Sequence, residues 1–291
     1  MKAPPFAYVR AASLDEVFRL WGEAGPEARL LAGGQTLLAS LAFRLSDPGI
    51  LIDITRVADL AGISQVGNAI RVGALTTHAD LGASDLLRRH VPLIAETVPL
   101  IAHPAIRNRG TIGGSLAFAD PAAELPACCV ALDATIMARS AAGERRIPAA
   151  QFFTGLYATA LAQNELIAAI ELPVARPSER STILELARRS GDYAMAGVAA
   201  HAQLDNGALG ELRLVFFGVG ETPVLAKGAM AAIEGKPATP ETIAVAQTAL
   251  DADLDPPADL HGSAEMKRHL ARVLLVRALR TIAGSEEAKA A

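Results

Sequence analysis

In the first third of the chain, short apolar runs alternate with segments whose apolar residues recur at helical spacing. The runs predict strands at residues 6–10, 29–32 and 50–54. The segments between them predict two helices, one through Phe18 and Trp21 and one through Leu37 and Leu41. A strand–helix–strand–helix–strand order is typical of an α/β unit.

The middle of the chain predicts a second unit of mixed structure. Residues 63–66 and 70–72 flank a Gly67-Asn68 turn, which favours a hairpin. A helix is predicted over residues 92–102, and another from Pro121, with Glu124 in its first turn. Residues 132–138 and 165–172 read as further strands.

From residue 173 onward the pattern changes, which predicts a domain boundary. The segment 173–179 is rich in proline and charge and is expected to be a linker. Beyond it come three predicted strands and then three predicted helices, an order that indicates a separate α+β domain. The strands are placed at 182–187, 198–204 and 212–219, and the helices at 224–233, 240–250 and 263–282. The expected domains are residues 1–175 and 176–285, the second with a three-stranded antiparallel sheet.

Composition excludes several classes of protein. Of 291 residues, 51% are hydrophobic and 20% are charged, with a formal net charge of −4, so the chain is globular and lacks the basic face of a nucleic-acid-binding protein. It contains no uninterrupted apolar stretch long enough to span a membrane, and its first residues do not form an apolar signal segment. A cytoplasmic protein without a membrane span is expected.

The chain carries only two cysteines, Cys128 and Cys129, which are adjacent in an apolar segment. A disulfide between neighbours would be strained, so both are expected to be buried free thiols. An iron–sulfur cluster needs about four thiolates, and the histidines form no pair with metal-ligand spacing. No metal site is expected within this chain.

Two glycine-rich turns are the strongest chemical signal. They are Ala32-Gly33-Gly34-Gln35-Thr36 and Thr111-Ile112-Gly113-Gly114-Ser115. Consecutive backbone N–H groups without side-chain bulk form a nest for anionic oxygen, so two such turns could hold a diphosphate from both sides. Neither is a dinucleotide-binding G-x-G-x-x-G motif or a phosphate-binding loop that ends in Lys-Ser or Lys-Thr. Taken alone, each turn could equally be structural.

The second turn lies within a longer motif that resembles the FAD-binding medium subunit of molybdenum hydroxylases. That family includes medium subunits of carbon monoxide dehydrogenases and the flavin part of xanthine dehydrogenases. The residues that carry the resemblance are HPAIRNRGTIGGS at 103–115, ADPAAELP at 119–126 and RRSGDYA at 188–194, together with the first glycine turn. The resemblance extends over nearly the whole chain.

The resemblance implies a fold and a set of cofactor contacts. The fold is a bilobal FAD-binding domain of the vanillyl-alcohol-oxidase (PCMH) type, followed by a smaller α+β domain of the carbon monoxide dehydrogenase flavoprotein type. Both glycine turns would hold the FAD diphosphate, through the amides of their glycines and the hydroxyls of their threonines and Ser115. Asp120 would lie near the cofactor, Tyr193 beside the flavin ring as a gate, and the Ile167 backbone at the adenine end. From the residues alone, Asp120 could instead cap a helix and Tyr193 could be an ordinary turn aromatic.

The sequence departs from the family pattern at three positions. Gln35 stands where some members carry histidine, and Thr36 replaces a more usual serine, but both keep hydrogen-bonding capacity. Glu185 lies where some members have a lysine near the cofactor, which puts a cationic contact there in doubt.

The family also implies partners. A large subunit would carry the molybdenum cofactor and a small subunit two [2Fe–2S] clusters, in a dimer of heterotrimers. FAD would do the redox work, so no catalytic side chain is expected here. A self-sufficient flavin oxidase and a non-catalytic scaffold remain the alternatives.

Overall fold

The computed structural model describes residues 2–284, and the first part of it is a small parallel sheet. Strands β1 (Ala7–Arg10), β2 (Ala28–Leu31) and β3 (Ile50–Asp53) lie in the order β1-β3-β2, with helices α1 (Leu14–Ala24) and α2 (Leu37–Ala42) between them. Because the strands are parallel, Arg10, Leu31 and Asp53 end at one edge of the sheet. The first glycine turn leaves the sheet at this edge, where ligands of open α/β sheets commonly bind.

Asp53 is buried at this edge and accepts several hydrogen bonds there. Its carboxylate accepts hydrogen bonds from Tyr8 Oη, from Arg10 Nε at 3.0 Å, and from the amide and hydroxyl of Thr55 at 2.8 and 2.6 Å. Burial opposes ionisation, but these donors outweigh it and lower the pKa of Asp53 to about 2. The ionised carboxylate therefore ties β1 to β3.

Replacement of Asp53 by asparagine is expected to lower the free energy of unfolding by about 1–3 kcal/mol at neutral pH, because charge-assisted hydrogen bonds are lost. Since the folded-state pKa is depressed, this contribution is present above pH 3.8 and is lost as the pH falls towards 2. Urea denaturation at several pH values measures this loss of stability. Asp47→Asn, at an exposed position, is the control. A difference between Asp53→Asn and the parent chain that stays constant down to the lowest pH would contradict the role of the charge.

The second part is built on an antiparallel sheet in the order β4-β5-β10-β6-β7. Its strands are β4 (Ile63–Val66), β5 (Ala69–Gly73), β6 (Thr135–Ser140), β7 (Gly143–Pro148) and β10 (Leu166–Pro173), and a small hairpin is formed by β8 (Phe153–Gly155) and β9 (Ala158–Thr159). The helices are α3 (His78–Ala83), α4 (Asp85–His90), α5 (Pro92–Thr97), α6 (Pro104–Arg107), α7 (Ile112–Phe118), α8 (Glu124–Ala131) and α9 (Ala149–Phe152). β7 was not predicted, because it is exposed at every residue except Ile147.

Two predicted helices have different limits in the structure. The helix predicted over 92–102 ends at Thr97, since Pro99 lacks an amide hydrogen and cannot continue it. The helix predicted from Pro121 begins at Glu124 with Ala123 as its N-cap residue. Asp120 is therefore not the helix cap. Its Oδ1 accepts the Ala122 N–H at 2.9 Å and closes a turn before the helix.

The C-terminal part has four strands in its antiparallel sheet, so the prediction of three is wrong. The strands are β11 (Glu179–Leu186), β12 (Ala196–Asp205), β13 (Ala208–Phe217) and β14 (Val224–Leu225), followed by α10 (Lys227–Ile233), α11 (Pro240–Asp253) and α12 (Ala264–Ile282). Val224 and Leu225 were assigned to a helix, but they pair with Phe216 and Val215 at the edge of β13. This pairing gives hydrogen-bond partners to backbone N–H and C=O groups that a buried sheet edge would otherwise leave unsatisfied.

The C-terminal sheet packs one face on its own helices and the other on α8. Along β12, Val198 belongs to the core beneath the C-terminal helices, whereas Ala199 belongs to the core shared with α8. Arg213 donates from Nη2 to the Val130 carbonyl at 2.8 Å and so joins the two parts. Among residues 2–284, no helix has the length and apolar character needed to cross a membrane.

Candidate functional site

The first glycine turn is in direct contact with the residues that precede the second turn. A Cβ atom at Gly33 would lie 2.8 Å from the carbonyl carbon of Arg109 and 2.9 Å from the Cα of Gly110, and closer still to the Arg109 oxygen. Only glycine permits this approach, because any side chain would separate the two segments. The structure thus brings the first turn against the residues that lead into the second.

The first turn presents a run of unpaired amides. None of the backbone N–H groups of residues 33–36 donates to an acceptor in the part of the chain that the structure describes. Gly34 adopts a left-handed conformation with φ +74°, a conformation found in the backbone concavities that bind anions. The Gln35 side chain folds back, donating from Nε2 to the Gly33 carbonyl at 3.2 Å, and Thr36 precedes α2 without a side-chain cap bond. This arrangement is a nest for anionic oxygen.

The second turn is built differently, and its glycine amides are already used. The Gly113 N–H donates to the Ala74 carbonyl at 2.8 Å, and the Gly114 N–H donates to Thr111 Oγ1 at 3.1 Å. The contact of all four glycine amides with the diphosphate stays a prediction, and at Gly113 and Gly114 the amide already has a partner within the chain. Gly113 instead allows close packing, because a Cβ there would lie 2.7 Å from the Ala74 oxygen. The Ser115 hydroxyl makes no hydrogen bond among the described residues and remains a possible donor.

His78 packs against the residue that precedes the second turn. The sequence analysis did not identify it. Its ring is buried against Gly110, its backbone amide donates to the Gly110 carbonyl at 2.9 Å, and neither ring nitrogen has a partner within residues 2–284. Burial, with a smaller effect of the Arg107 charge, lowers the pKa of His78 to about 4, against the opposing effect of the nearby Thr111 backbone, which does not reach hydrogen-bond geometry with the ring. The imidazole is therefore uncharged at neutral pH, and the ring packs against Gly110.

Helix α7 connects the second turn to Asp120. It runs from Ile112 to Phe118, with Thr111 as its N-cap residue, and Ala119 after it takes a left-handed conformation. The Phe118 ring packs against Tyr157, with 5.1 Å between ring centroids, at the tip of the β8–β9 hairpin. Burial raises the pKa of Asp120 despite its bond from Ala122.

The loop between β11 and β12 brings Tyr193 close to Asp120. Gly191, with φ +82°, packs so closely on the chain at Ala102 that a Cβ would lie 2.8 Å from the Ala102 oxygen. Although Tyr193 is 57% exposed, partial desolvation, followed by the charge of Asp120 and by Tyr157, raises the pKa of Tyr193. Two of the residues predicted for the site, Asp120 and Tyr193, are therefore brought together from different parts of the fold.

Family comparisons match the two parts of the fold. The model for the FAD binding domain in molybdopterin dehydrogenase matches residues 4–175, and that for the CO dehydrogenase flavoprotein C-terminal domain matches residues 181–282. The chain belongs to this family of flavin subunits. The first match includes both glycine turns, so the expectation of FAD as the cofactor is confirmed.

Relatives of the flavin subunit are similar along almost its whole length. The 6-hydroxypseudooxynicotine dehydrogenase complex subunit alpha of Paenarthrobacter nicotinovorans is 39% identical over 280 residues, which cover 96% of this chain and 95% of that protein. The carbon monoxide dehydrogenase medium chain of Hydrogenophaga pseudoflava is 36% identical over 279 residues, covering 96% and 97%. A solved structure of carbon monoxide dehydrogenase from the same organism, lacking the Mo-pyranopterin moiety of its cofactor, matches with a TM-score of 0.95 at 37% identity, covering 97% of this chain and 98% of that one.

In the flavin subunit, Glu124 interacts electrostatically with Asp120 and Tyr193, and Glu185 interacts with Glu124. Burial, followed by the charge of Asp120, raises the pKa of Glu124 to about 7. Burial, followed by the charge of Glu124, raises the pKa of Glu185 to about 7. Sequence reasoning noted Glu185 only as a departure from the family pattern and treated Glu124 as a helix-dipole residue.

Ile167 lies in the core beneath the second glycine turn. It is buried in β10, at a register shift between β10 and β6, in the core that also holds Ile112 and Leu116 of α7. A separate cleft of about 980 Å³ lies where β11 and β13 meet the flavin-binding part, lined by residues that include Arg176, His201 and Arg213. No residue of either glycine turn lines it.

Proposed function

We propose that this flavin subunit passes electrons from the [2Fe–2S] clusters of a small partner subunit to an external acceptor, with the molybdenum cofactor held in a large partner subunit. The observation that carries the proposal is the run of unpaired amides at residues 33–36, held against Arg109 and Gly110, which lead into the second glycine turn. FAD supplies the redox chemistry when bound, and the protein binds and orients it.

The residues divide into three groups by the part of FAD that they would contact. Amides of Gly33, Gly34, Gln35 and Thr36, which follow Ala32, would bind diphosphate oxygens, since successive N–H groups in a concave turn favour anions. Ser115 would add a hydroxyl from the second turn, where Thr111, Ile112, Gly113 and Gly114 shape the wall. Asp120 and Tyr193 would flank the flavin ring, with Tyr193 as its gate, and the Ile167 backbone would meet the adenine end.

The arrangement of partners is also part of the proposal. The relatives are named as a medium chain and as a complex subunit, which supports a multi-subunit enzyme for this chain too. We infer a dimer of heterotrimers in the cytoplasm, where the buried free thiols of Cys128 and Cys129 would stay reduced. We place the two domains at 1–175 and 176–285, of which residues 1 and 285 lie outside the described chain.

The purified chain is expected to retain FAD after desalting, because its nest of free amides exists without any partner. The measurement is a visible absorption spectrum, in which a structured flavin band should appear at about one FAD per chain. A spectrum without flavin, both for the chain alone and for the complex with its subunits, would contradict the proposal. Turnover of an organic substrate by the isolated chain would favour a self-sufficient oxidase instead.

A further inference from the structure

The side chain of Arg107 binds backbone carbonyls in the turns between α5 and α6. Its Nη1 atom donates to the Ile101 carbonyl at 2.8 Å and to the Ala102 carbonyl at 3.0 Å, with the Pro99 carbonyl further away at 3.4 Å. No backbone N–H group of residues 2–284 donates to any of these three carbonyls. Because hydrogen bonds from a charged donor are stronger than those between neutral groups, the guanidinium fixes the path of this stretch.

Ala102 depends on such a contact because its backbone is strained. Its φ is +41°, in the left-handed region that residues with a Cβ atom rarely adopt. A conformation of this kind is unfavourable and persists only where surrounding contacts hold it. The hydrogen bond from Arg107 to the Ala102 carbonyl is one of these contacts. Without the guanidinium, the chain is free to relax before it enters α6.

Two other parts of the protein pack on the two ends of the 99–110 segment. At one end, Gly191 of the β11–β12 loop packs so closely that a Cβ atom would lie 2.8 Å from the Ala102 oxygen, the same oxygen that Arg107 binds. At the other end, Gly33 of the first glycine turn packs on the Arg109 carbonyl group. Helix α6 joins the two ends. A change of conformation at Ala102 would therefore reach the first glycine turn.

We propose that Arg107 is a positioning residue for FAD, which holds Ala102 in its strained conformation and, through the 99–110 segment, holds the first glycine turn in the form that binds the diphosphate. The inference rests on the proposed function, because it takes the unpaired amides of residues 33–36 as the diphosphate site. Arg107 acts without touching the cofactor. Its loss should change the position of the backbone, not the attraction between charges.

The first test compares the dissociation constants of FAD for the folded parent chain and its variants. Arg107→Ala is expected to bind FAD at least about tenfold more weakly, since charge-assisted hydrogen bonds that hold the site are lost. Arg88→Ala is the matched control, because Arg88 also donates to two carbonyls, those of Gly82 at 2.6 Å and Ala83 at 3.0 Å. Gly82 packs on Val98 and not on a glycine turn, so this variant should keep the parent's affinity. Equal affinities for the parent and Arg107→Ala would overturn the proposal.

The dependence on salt separates positioning from attraction between charges. The ratio of the dissociation constants of Arg107→Ala and the parent should be the same at low and at high salt, because salt screens exposed charges but does not redirect a backbone. A ratio that falls to one at high salt would overturn the proposal in favour of direct attraction. If Arg107→Ala does not fold, Arg107→Lys takes its place, since lysine keeps the charge but lacks the planar guanidinium, and a smaller loss of affinity is expected.

A second substitution tests whether the effect passes through Ala102. Glycine adopts a positive φ readily, so Ala102→Gly removes the strain that Arg107 opposes. Ala102→Gly added to Arg107→Ala should recover part of the FAD affinity. A general loss of stability would instead become larger, because glycine also makes the unfolded chain more flexible. An affinity as low in the double variant as in Arg107→Ala would overturn the route through Ala102.

The last test needs no flavin. In the flavin-free chain, the amides of Arg109 and Gly110 donate to the Ile106 carbonyl at 3.0 and 2.7 Å. Their hydrogen exchange should be faster in Arg107→Ala and unchanged in Arg88→Ala, because the segment opens more often once its support is lost. Unchanged exchange in Arg107→Ala would overturn its hold on the segment. Faster exchange in a chain that binds no FAD, alone or with its partner subunits, would instead refute the proposed function and leave that hold standing.

Discussion

Replacement of Gly33 by valine is expected to abolish the retention of FAD by the folded chain. A Cβ at this position would lie within 3 Å of the Arg109 carbonyl group and of the Gly110 Cα, all of them backbone atoms that cannot rotate away. The first turn would have to move off the second, which would disperse the amides of residues 33–36. We expect FAD to bind at least about 100-fold more weakly, equivalent to about 3 kcal/mol.

The measurement is a titration of each purified variant with FAD, followed by absorbance and flavin fluorescence. Gly22→Ala is the matched control, because nothing lies within 4 Å of the added Cβ and an exposed helical glycine gains stability from alanine. Circular dichroism would establish that Gly33→Val is folded. Stoichiometric FAD in folded Gly33→Val would refute the assignment of this turn to the cofactor.

Gly114 provides a graded comparison within the same site. A Cβ there would meet only the Thr111 Oγ1 atom, at 2.9 Å. A side-chain hydroxyl can rotate, so Gly114→Ala should weaken FAD binding less than Gly33→Val. The reverse order would indicate that the second turn, not the first, dominates binding.

The sequence was sufficient for the elements that depend on local pattern. The strands at Ile50–Asp53 and Ala7–Arg10 are short apolar runs, and the cap of α1 follows from Ser13, whose Oγ accepts the Glu16 N–H at 3.2 Å. The family followed from contiguous motifs around the glycine turns. Elements without such a signal were missed, as at β7, where only Ile147 is buried, and at β14, where pairing with β13 overrides helical spacing.

The sequence predicted only those parts of the candidate site that lie within one contiguous motif. Both glycine turns were found from their composition, but their contact through Gly33 and Arg109 depends on the folded backbone. The use of the Gly113 amide by Ala74 is likewise a long-range hydrogen bond that no local pattern encodes. Glu124 and Glu185 are 61 positions apart in sequence (185 minus 124) and interact electrostatically only in the folded chain. Charge repulsion between distant residues has no local sequence signature.

Replacement of Gly197 by alanine is expected to destabilise the junction between the C-terminal sheet and α8. Gly197 on β12 faces Phe217 on β13 in register, and the Phe217 ring is fully buried. A Cβ at Gly197 would lie 2.5 Å from Cε2 of this ring and nearer to Cζ. Because a buried aromatic ring has no free rotamer to adopt, the strands must separate, at a cost of about 2–3 kcal/mol.

A double-mutant cycle tests whether this collision is the cause. Phe217→Ala alone should cost about 3–5 kcal/mol through the cavity that it leaves. The double variant Gly197→Ala/Phe217→Ala should cost less than the sum of the two single variants, because the added methyl group then enters that cavity. Gly210→Ala, on β13 and with only the Gln203 oxygen at 3.8 Å, is the control and should change stability little. Additive effects in urea denaturation would show that Gly197 is required for a reason other than the ring.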